Sequence, residues 1–251
     1  MLRTQNEFLN ESVNNGNDLI YPEIFRHSEA EGFFTDGSRG LKIQDVADPS
    51  KHLFMPLQKH TDIVVVLRKG SSLPTPSTVA DAVITDRDDI ITGVQSADCV
   101  PILVFDRKRL VTGSIHAGWR GTAKGILSSV LRQFFSEFKS DASDVLIAIG
   151  PSIRGCCYEV GEEVISAVIS ASGEGDYIYT QPTGGKHIDL SVANKLQALR
   201  MGVNPENIWI SPDCTYCVSK YHSYRRAQKQ NTVTTGRQGA FITLPSCGNA
   251  A

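Results

Sequence analysis

Short apolar runs separated by polar turns recur along the chain, and this pattern is typical of β-strands. The run that ends the stretch 55–67 predicts a buried strand, and residues 19–25 predict a strand or a short helix. Residues 82–85 and 90–94 bracket an acidic turn and predict a pair of neighbouring strands. Further strands are predicted at 145–149, 208–210 and 240–244.

One hairpin is predicted where the runs 101–105 and 110–115 flank a charged turn. If Arg107 and Lys108 form its loop, Cys99 lies directly across from His116, with Cβ atoms about 4.5–5.5 Å apart. A thiol and an imidazole so placed can share a metal or form a catalytic dyad. A slip by one residue would put them on opposite faces, so chance pairing stays open.

Helical spacing of apolar positions predicts three helices. The first covers roughly four turns, begins near Arg120 and continues through residues 126–138. Its amino end favours an anion such as phosphate, although its glycines are equally consistent with an ordinary tight turn. The second helix covers 162–171, and the third follows Asp189 and ends at Gly202.

Strands outnumber helices and come in runs instead of alternating with them. That order predicts an α+β fold, with mixed β-sheets flanked by helices. Because no internal repeat or linker interrupts the chain, residues 1–251 are expected to form a single domain, with 1–18 as a loosely held start.

Composition describes an ordinary globular protein, with 41% hydrophobic and 21% charged residues among 251. A formal net charge of −2 gives no reason to expect nucleic acid or a membrane surface as a partner. The amino terminus has no apolar leader, and no run approaches the roughly 20 apolar residues of a membrane span. A cytoplasmic location is expected.

Six cysteines are too few for a disulfide scaffold in a chain of this size. Cys214 and Cys217 have the spacing of a metal knuckle, and Cys156 and Cys157 offer a second pair. Adjacent side chains diverge, which favours interpreting these four as small buried hydrophobes over a structural zinc site.

Several motifs, taken together, resemble the YfiH-type family, also called the laccase-domain or polyphenol-oxidase family. They cover most of the chain between about Leu57 and Leu244: Gln58-Lys-His60, Ala97-Asp-Cys99-Val-Pro, His116-Ala-Gly-Trp-Arg-Gly121, Gly150-Pro-Ser-Ile-Arg-Gly-Cys-Cys-Tyr-Glu-Val-Gly161, Ile188-Asp-Leu190, Cys214-Thr-Tyr-Cys217, Ser223-Tyr-Arg-Arg226 and Thr235-Gly-Arg-Gln238. The block that begins at His116 is the most specific of them.

This resemblance implies a catalytic zinc site made by His60, Cys99 and His116. It also implies phosphorolysis of adenosine, inosine and methylthioadenosine, together with deamination of adenosine. Purine nucleosides and phosphate are therefore the expected partners. Whether the chain is a monomer or a homodimer stays open.

One segment departs from the family pattern. Residues 33–40 are shorter than the family's usual segment before Gln58, and Asp36 stands where a basic residue is expected. Substrate contacts from this segment are therefore in doubt, whereas the three metal ligands are unaffected.

Three protein ligands leave one position of a tetrahedral zinc open, which is typical of catalytic sites. Asp98 is the nearest acid for a proton shuttle, although on a regular strand it points away from Cys99. Arg120, Arg225 and Arg237 are candidates to hold phosphate, and each could instead form a structural ion pair. Tyr158 could stack on a purine or simply pack in the core.

Two other enzyme classes remain as alternatives. A copper-dependent polyphenol oxidase would need many histidines, and the six here include no His-x-His pair, so copper binding is expected to be adventitious. A metal-free hydrolase would use Cys99 as nucleophile and His116 as base. A binding module without enzymatic activity leaves the clustered ligands unexplained.

Overall fold

A computed structural model describes residues 18–75, 77–182, 184–232 and 235–246 of the chain. The loose start predicted for 1–18 lies outside these ranges apart from Asp18, and Cys247 lies outside them too. The strands are β1 (Leu19–Ile20), β2 (Glu31–Thr35), β3 (His52–Phe54), β4 (Val64–Leu67), β5 (Ala82–Thr85), β6 (Ile90–Ser96), β7 (Val100–Asp106), β8 (Val111–Ala117), β9 (Val145–Ile149), β10 (Ile178–Thr180), β11 (Lys186–Ile188), β12 (Ile208–Ile210) and β13 (Gln238–Thr243). The helices are α1 (Trp119–Ala123), α2 (Ile126–Glu137), α3 (Glu162–Ser172), α4 (Leu190–Arg200) and α5 (Tyr224–Lys229).

Two mixed sheets and a small hairpin organise these strands. The five-stranded sheet has the order β1-β2-β13-β6-β3, the six-stranded sheet has the order β12-β9-β7-β8-β5-β4, and β10 pairs with β11. Parallel pairs occur in both sheets, between β3 and β6, β4 and β5, and β9 and β12. The predicted α+β class is confirmed.

The six-stranded sheet is the central layer. Leu103 and Phe105 on β7 pack with Phe34 and Ala240 of the five-stranded sheet. Ile102 and Val104, which alternate with them, belong instead to the core beneath the helices. Burial on both faces explains why β7 and β9 are nearly continuous apolar runs.

The hairpin of β7 and β8 forms, but its predicted register is wrong. His116 pairs with Pro101, and Asp106 pairs with Val111, so the loop has more than two residues. The reason is local: Asp106 Oδ1 accepts hydrogen bonds from the N–H groups of Lys108 (2.8 Å) and Arg109 (2.9 Å), which closes a wider Asx-type turn. Cys99 is therefore displaced by two residues from the position across from His116, which preserves the face.

The four-turn helix predicted near Arg120 is divided in two. Gly125, with φ 70°, takes the left-handed conformation between α1 and α2, which L side chains avoid. A five-residue α1 carries little of a helix dipole, so it gives little support to the anion site predicted at its amino end.

Other predicted elements are largely as expected. The structure confirms α3, α4 and β9, and Asp189 caps α4 by accepting from Ser191 and Val192 N–H. The strand pair predicted at 82–85 and 90–94 is wrong as a pair, because β5 and β6 lie in different sheets. Among the described residues, no helix has the length and apolar character needed to cross a membrane.

Candidate metal centre

Three side chains from separate segments meet at one edge of the six-stranded sheet. His60 precedes β4, Cys99 immediately precedes β7, and His116 lies near the end of β8. β8 pairs antiparallel with both β5 and β7, and β4 pairs parallel with β5, so the starts of β4, β5 and β7 lie at the end of β8. Cys99 Sγ lies 3.8 Å from His60 Nε2, and the two imidazole centroids are 4.9 Å apart.

Two residues at this edge have an unusual backbone. His60 (φ 58°) and Asp98 (φ 90°) both lie at positive φ although neither is a glycine. Such conformations cost on the order of 1–3 kcal/mol each and persist where the surrounding structure fixes them, often at functional sites. Here they turn the chain at one candidate ligand, His60, and immediately before another, Cys99.

Asp81 fixes both histidines, and the sequence analysis missed it. Its buried Oδ1 lies 2.8 Å from His116 Nδ1 and accepts the His60 N–H at 3.1 Å, while Oδ2 accepts from Thr61 N–H (2.6 Å) and hydroxyl (2.7 Å). The contact between Asp81 Oδ1 and His116 Nδ1 leaves His116 Nε2 as the free ring nitrogen, as in carboxylate–histidine–metal arrangements. The available signal was one acid standing directly before the apolar run of β5.

Burial and neighbouring charges shift the pKa values of Cys99, His116 and Asp81. Burial opposes ionisation of Cys99, but His116 and then His60 outweigh it and lower the pKa of the thiol to about 6. Burial likewise disfavours the imidazolium of His116, yet Cys99 and Asp81 raise the pKa of His116 to about 9. Burial also opposes the charge on Asp81, while His116 and Thr61 hold the pKa of that carboxyl well below its usual range.

The donor set fits a metal ion. The Sγ and imidazole nitrogens of His60, Cys99 and His116 all lie within 4.8 Å of one another, and a shared tetrahedral zinc with bonds of 2.0–2.3 Å would separate such atoms by roughly 3.5 Å. Gly118 makes room for them, because a Cβ there would lie 2.9 Å from both Cys99 Sγ and His60 Cδ2. His60 is exposed and Cys99 half-buried, so one side of the cluster is accessible.

The side chains of Asp98, which precedes Cys99, and of Gln58, two residues before His60, hold neighbouring segments by hydrogen bonds. The Asp98 carboxylate accepts hydrogen bonds from the Thr215 hydroxyl (2.6 Å), the Ser223 hydroxyl (3.0 Å) and the Arg225 N–H (2.7 Å). The Gln58 amide donates to the Gln95 carbonyl at 2.8 Å and accepts from the Gln95 N–H at 2.9 Å. Both side chains therefore tie segments of backbone together.

Arg225 lies beside Tyr158, and Arg120 lies over Trp119. The Arg225 guanidinium lies 5.1 Å from the Tyr158 ring centroid and donates to the Glu159 carbonyl at 3.0 Å. Burial and the negative charges of Cys99 and Asp98 raise the pKa of Tyr158 to about 12, against the opposing influence of Arg225 and Arg120. Arg120 is exposed and stacks over Trp119 at 4.4 Å.

Arg237 and Asp36 have local partners. Arg237 precedes β13, and its Nη1 donates to the carbonyls of Thr235 and Gly236 within the same loop. Asp36 Oδ1 accepts from Ser38 N–H (2.9 Å) and hydroxyl (2.6 Å), which explains the acid in the shortened segment as a turn cap.

The interpretation of the other cysteines as buried hydrophobes is wrong for three of four. Cys214 is buried, whereas Cys157 is half-buried and Cys156 and Cys217 are exposed. All four Sγ atoms lie within 4.8 Å of one another. The turn that carries Cys156 and Cys157 does not separate adjacent side chains as a strand would.

Comparison with known proteins finds one family model and several relatives that are named for different activities. A family model described as multi-copper polyphenol oxidoreductase laccase matches residues 39–245. A purine nucleoside phosphorylase of Clostridium acetobutylicum is 36% identical over 187 residues, or 74% of each chain. An adenosine deaminase of an unknown prokaryotic organism is 35% identical over 183 residues, which covers 69% of this chain and 70% of that protein.

Solved structures agree with the fold. The crystal structure of YlmD from Geobacillus stearothermophilus has a TM-score of 0.77 and 25% sequence identity, and the match covers 89% of this chain and 94% of that one.

Proposed function

The chain belongs to the multi-copper polyphenol oxidoreductase laccase family, and on this premise we propose that it is a zinc-dependent purine nucleoside phosphorylase that also deaminates adenosine. Adenosine, inosine and methylthioadenosine are the proposed nucleoside substrates. The observation that carries the proposal is the convergence of His60, Cys99 and His116, oriented by Asp81. Relatives named purine nucleoside phosphorylase and adenosine deaminase support both activities.

His60, Cys99 and His116 would hold the metal through two nitrogens and one sulfur. A zinc ion with an open position supplies Lewis-acid chemistry and activates water near neutral pH. Asp81 accepts a hydrogen bond from His116 Nδ1–H, and this leaves Nε2 free for the metal. Gly118 keeps the space between Cys99 and His60 clear.

Arg120 and Arg225 are proposed to hold phosphate. Arg225 lies 5.1 Å from the Tyr158 ring, which can stack on a purine, and the charge of Arg120 also lowers the pKa of Tyr158. Guanidinium groups suit phosphate because their planar donors match its oxygens. Arg237 stays a weaker candidate because its Nη1 is bonded to carbonyls of its own loop.

Asp98 is predicted from the sequence as a proton shuttle for deamination, and its surroundings favour a positioning role. Its two carboxylate oxygens accept three hydrogen bonds. One of these donors is the Arg225 N–H, so Asp98 connects the turn at Cys99 to a proposed phosphate ligand.

A metal-free hydrolase is the second candidate, and the charge state of the cluster favours it. Asp81, His116 and Cys99 form an acid–imidazole–thiol series in which the pKa of Cys99 lies near 6 and that of His116 near 9. Such a pair supplies a nucleophilic thiolate without a metal. Full activity of chelator-treated protein with no bound metal would favour this candidate.

A copper oxidase is suggested by the description of the family model. Two histidines and a cysteine can also bind copper, and copper affinity exceeds zinc affinity at most such sites. Restoring nucleoside cleavage to metal-depleted protein with zinc, but not with copper, would decide for the phosphorylase.

The experiment that tests the proposal is an assay of purified, metal-analysed protein with inosine and with adenosine, each with and without phosphate. Chromatography identifies the released bases and sugars. Phosphorolysis predicts hypoxanthine and ribose 1-phosphate from inosine only when phosphate is present, and deamination predicts inosine from adenosine without it. Release of no base under any condition would contradict the proposal.

A further inference from the structure

Four cysteines meet in a second cluster, at two turns that lie close to the Asp98 contacts. The first turn follows Gly155 and carries Cys156 and Cys157, and the second carries Cys214 and Cys217. The Sγ of Cys217 lies 3.8 Å from that of Cys156 and 3.2 Å from that of Cys157. We propose that Cys156, Cys157, Cys214 and Cys217 bind a structural zinc ion, separate from the metal centre at His60.

The spacing of the sulfurs agrees with tetrahedral thiolate coordination. Zinc–sulfur bonds of about 2.3 Å in a tetrahedral site place the sulfurs roughly 3.8 Å apart. All four Sγ atoms lie within 4.8 Å of one another, so only small shifts would bring them to that separation. A tetrahedral set of four sulfurs is typical of zinc or of iron–sulfur centres.

The backbone explains how two adjacent cysteines can act as ligands of one ion. The N–H groups of Cys157 and Tyr158 both donate to the Arg154 carbonyl, at 2.9 and 3.0 Å, which curls the chain into a turn. Adjacent side chains in a turn need not point in opposite directions, as they do on a strand. The Arg154 N–H also points at Cys214 Sγ, at 3.4 Å.

Hydrogen bonds from the backbone and from Arg226 fix the second turn, which carries Cys214 and Cys217. Thr215 N–H donates to the Ser152 carbonyl at 3.0 Å, and Val218 N–H donates to the Cys214 carbonyl at 2.9 Å. Arg226 Nη1 donates to the carbonyls of Thr215 (2.8 Å) and Tyr216 (2.7 Å). Cys214 and Cys217 are therefore placed by backbone contacts that do not depend on the cluster itself.

A disulfide accounts for the cluster less well. Cys217 is close to two sulfurs at once, and a disulfide would use one of them and leave the other two cysteines unexplained. Two of the thiols are exposed, and exposed unliganded thiols are prone to oxidation. One ion uses all four.

The cysteine cluster is connected to the proposed active site through hydrogen bonds to Asp98. Thr215, between the two knuckle cysteines, donates to the Asp98 carboxylate, and Asp98 also accepts the Arg225 N–H. A zinc ion that fixes these turns would stabilise the supports of Cys99 and Arg225 without touching substrate.

Zinc analysis of reduced, full-length protein tests the proposal, with Cys217→Ser and Cys156→Ser as variants and Cys247→Ser as the matched control. Each cluster variant should lose one zinc per chain relative to the control, and its thermal unfolding temperature should fall. Unchanged zinc content in both cluster variants would overturn the proposal, as would iron in place of zinc in the wild-type protein.

The Cys99→Ala variant provides a second readout that does not require a cluster variant to fold. Because Cys99 belongs to the other centre, this variant should retain the cluster zinc. X-ray absorption at the zinc edge should then show four sulfur neighbours at about 2.3 Å. A shell of nitrogen or oxygen, or no zinc, would overturn the proposal, and neither result depends on whether the protein cleaves nucleosides.

Discussion

Asp81 is the residue on which the geometry of the proposed metal centre depends. It lies fully buried and binds the backbone of His60 and the ring of His116. Replacement of such an outer carboxylate typically lowers metal affinity 10- to 100-fold. Asp81→Asn should therefore weaken zinc binding by about this factor, as measured by competition with a chromophoric chelator.

Asp86→Asn is the matched control for that measurement. Asp86 follows the other end of β5 and accepts the Lys69 N–H at 2.8 Å, away from the cluster. Equal zinc affinity in the two variants would show that Asp81 does not orient the ligands.

Cys99 reports on the charge state of the metal-free centre. His116 and His60 lower the pKa of its thiol to about 6, from an ordinary value of about 8.5. The reactive thiolate gains population as pH rises, so alkylation of Cys99 in metal-free protein should reach half its maximal rate near pH 6. Mass spectrometry of the modified peptide measures the rate.

The lowered pKa of Cys99 also makes the stability of the folded, metal-free protein depend on pH. The thiolate contributes its full stabilisation at pH values above the ordinary thiol pKa, and this stabilisation is lost as the pH falls through about 6. His116→Ala removes the neighbouring cation and should move the alkylation midpoint upward. A wild-type midpoint near pH 8.5 would exclude the thiolate–imidazolium pair.

Arg120 is the side chain whose replacement tests the proposed phosphate binding. A charge-assisted hydrogen bond is worth about 1.5–3 kcal/mol, so Arg120→Ala should raise the KM for phosphate about 10- to 150-fold with zinc content unchanged. Deamination uses water and should change less. Arg132→Ala is the matched control, since that exposed arginine on α2 donates to Ser129 at 2.9 Å.

Loss of both activities to the same extent in Arg120→Ala would instead indicate a structural arginine at the turn. An unchanged KM for phosphate would remove Arg120 from the site.

At the scale of elements, the junction between β8 and α1 must remain free of side chains. A Cβ on Gly118 would lie 2.9 Å from two atoms of the cluster. Overpacking of this kind typically costs 1–3 kcal/mol, so Gly118→Ala should weaken zinc binding about 5- to 150-fold while circular dichroism shows the fold intact. Zinc binding equal to wild type would mean that the ligands lie farther apart than the structure places them.

Local patterns predicted most elements but not how they pair. The apolar runs gave β7, β8 and β9 because their strands are buried on both faces. The hairpin register was wrong because Asp106 bonds the backbone of its own turn, a side-chain effect that apolar periodicity does not contain. The predicted proximity of Cys99 and His116 was still correct, because a register shift of two residues keeps both side chains on the same face of the hairpin.

Pairing across the whole molecule was the least predictable. β5 and β6 are close in sequence yet lie in different sheets, and β13 from the end of the chain pairs with β2 and β6. Long-range contacts also make Asp81 a support and bring Cys156 to Cys217. Motif resemblance supplied His60 as a candidate ligand, whereas spacing alone could relate only Cys99 and His116.

The most direct test of the proposed function is the balance between phosphate consumed and base released when inosine is supplied with phosphate. Phosphorolysis at the centre of His60, Cys99 and His116 predicts equal amounts of phosphate lost and hypoxanthine formed, and Cys99→Ala should abolish both. Hypoxanthine formed without loss of phosphate, or undiminished turnover by Cys99→Ala, would contradict the account.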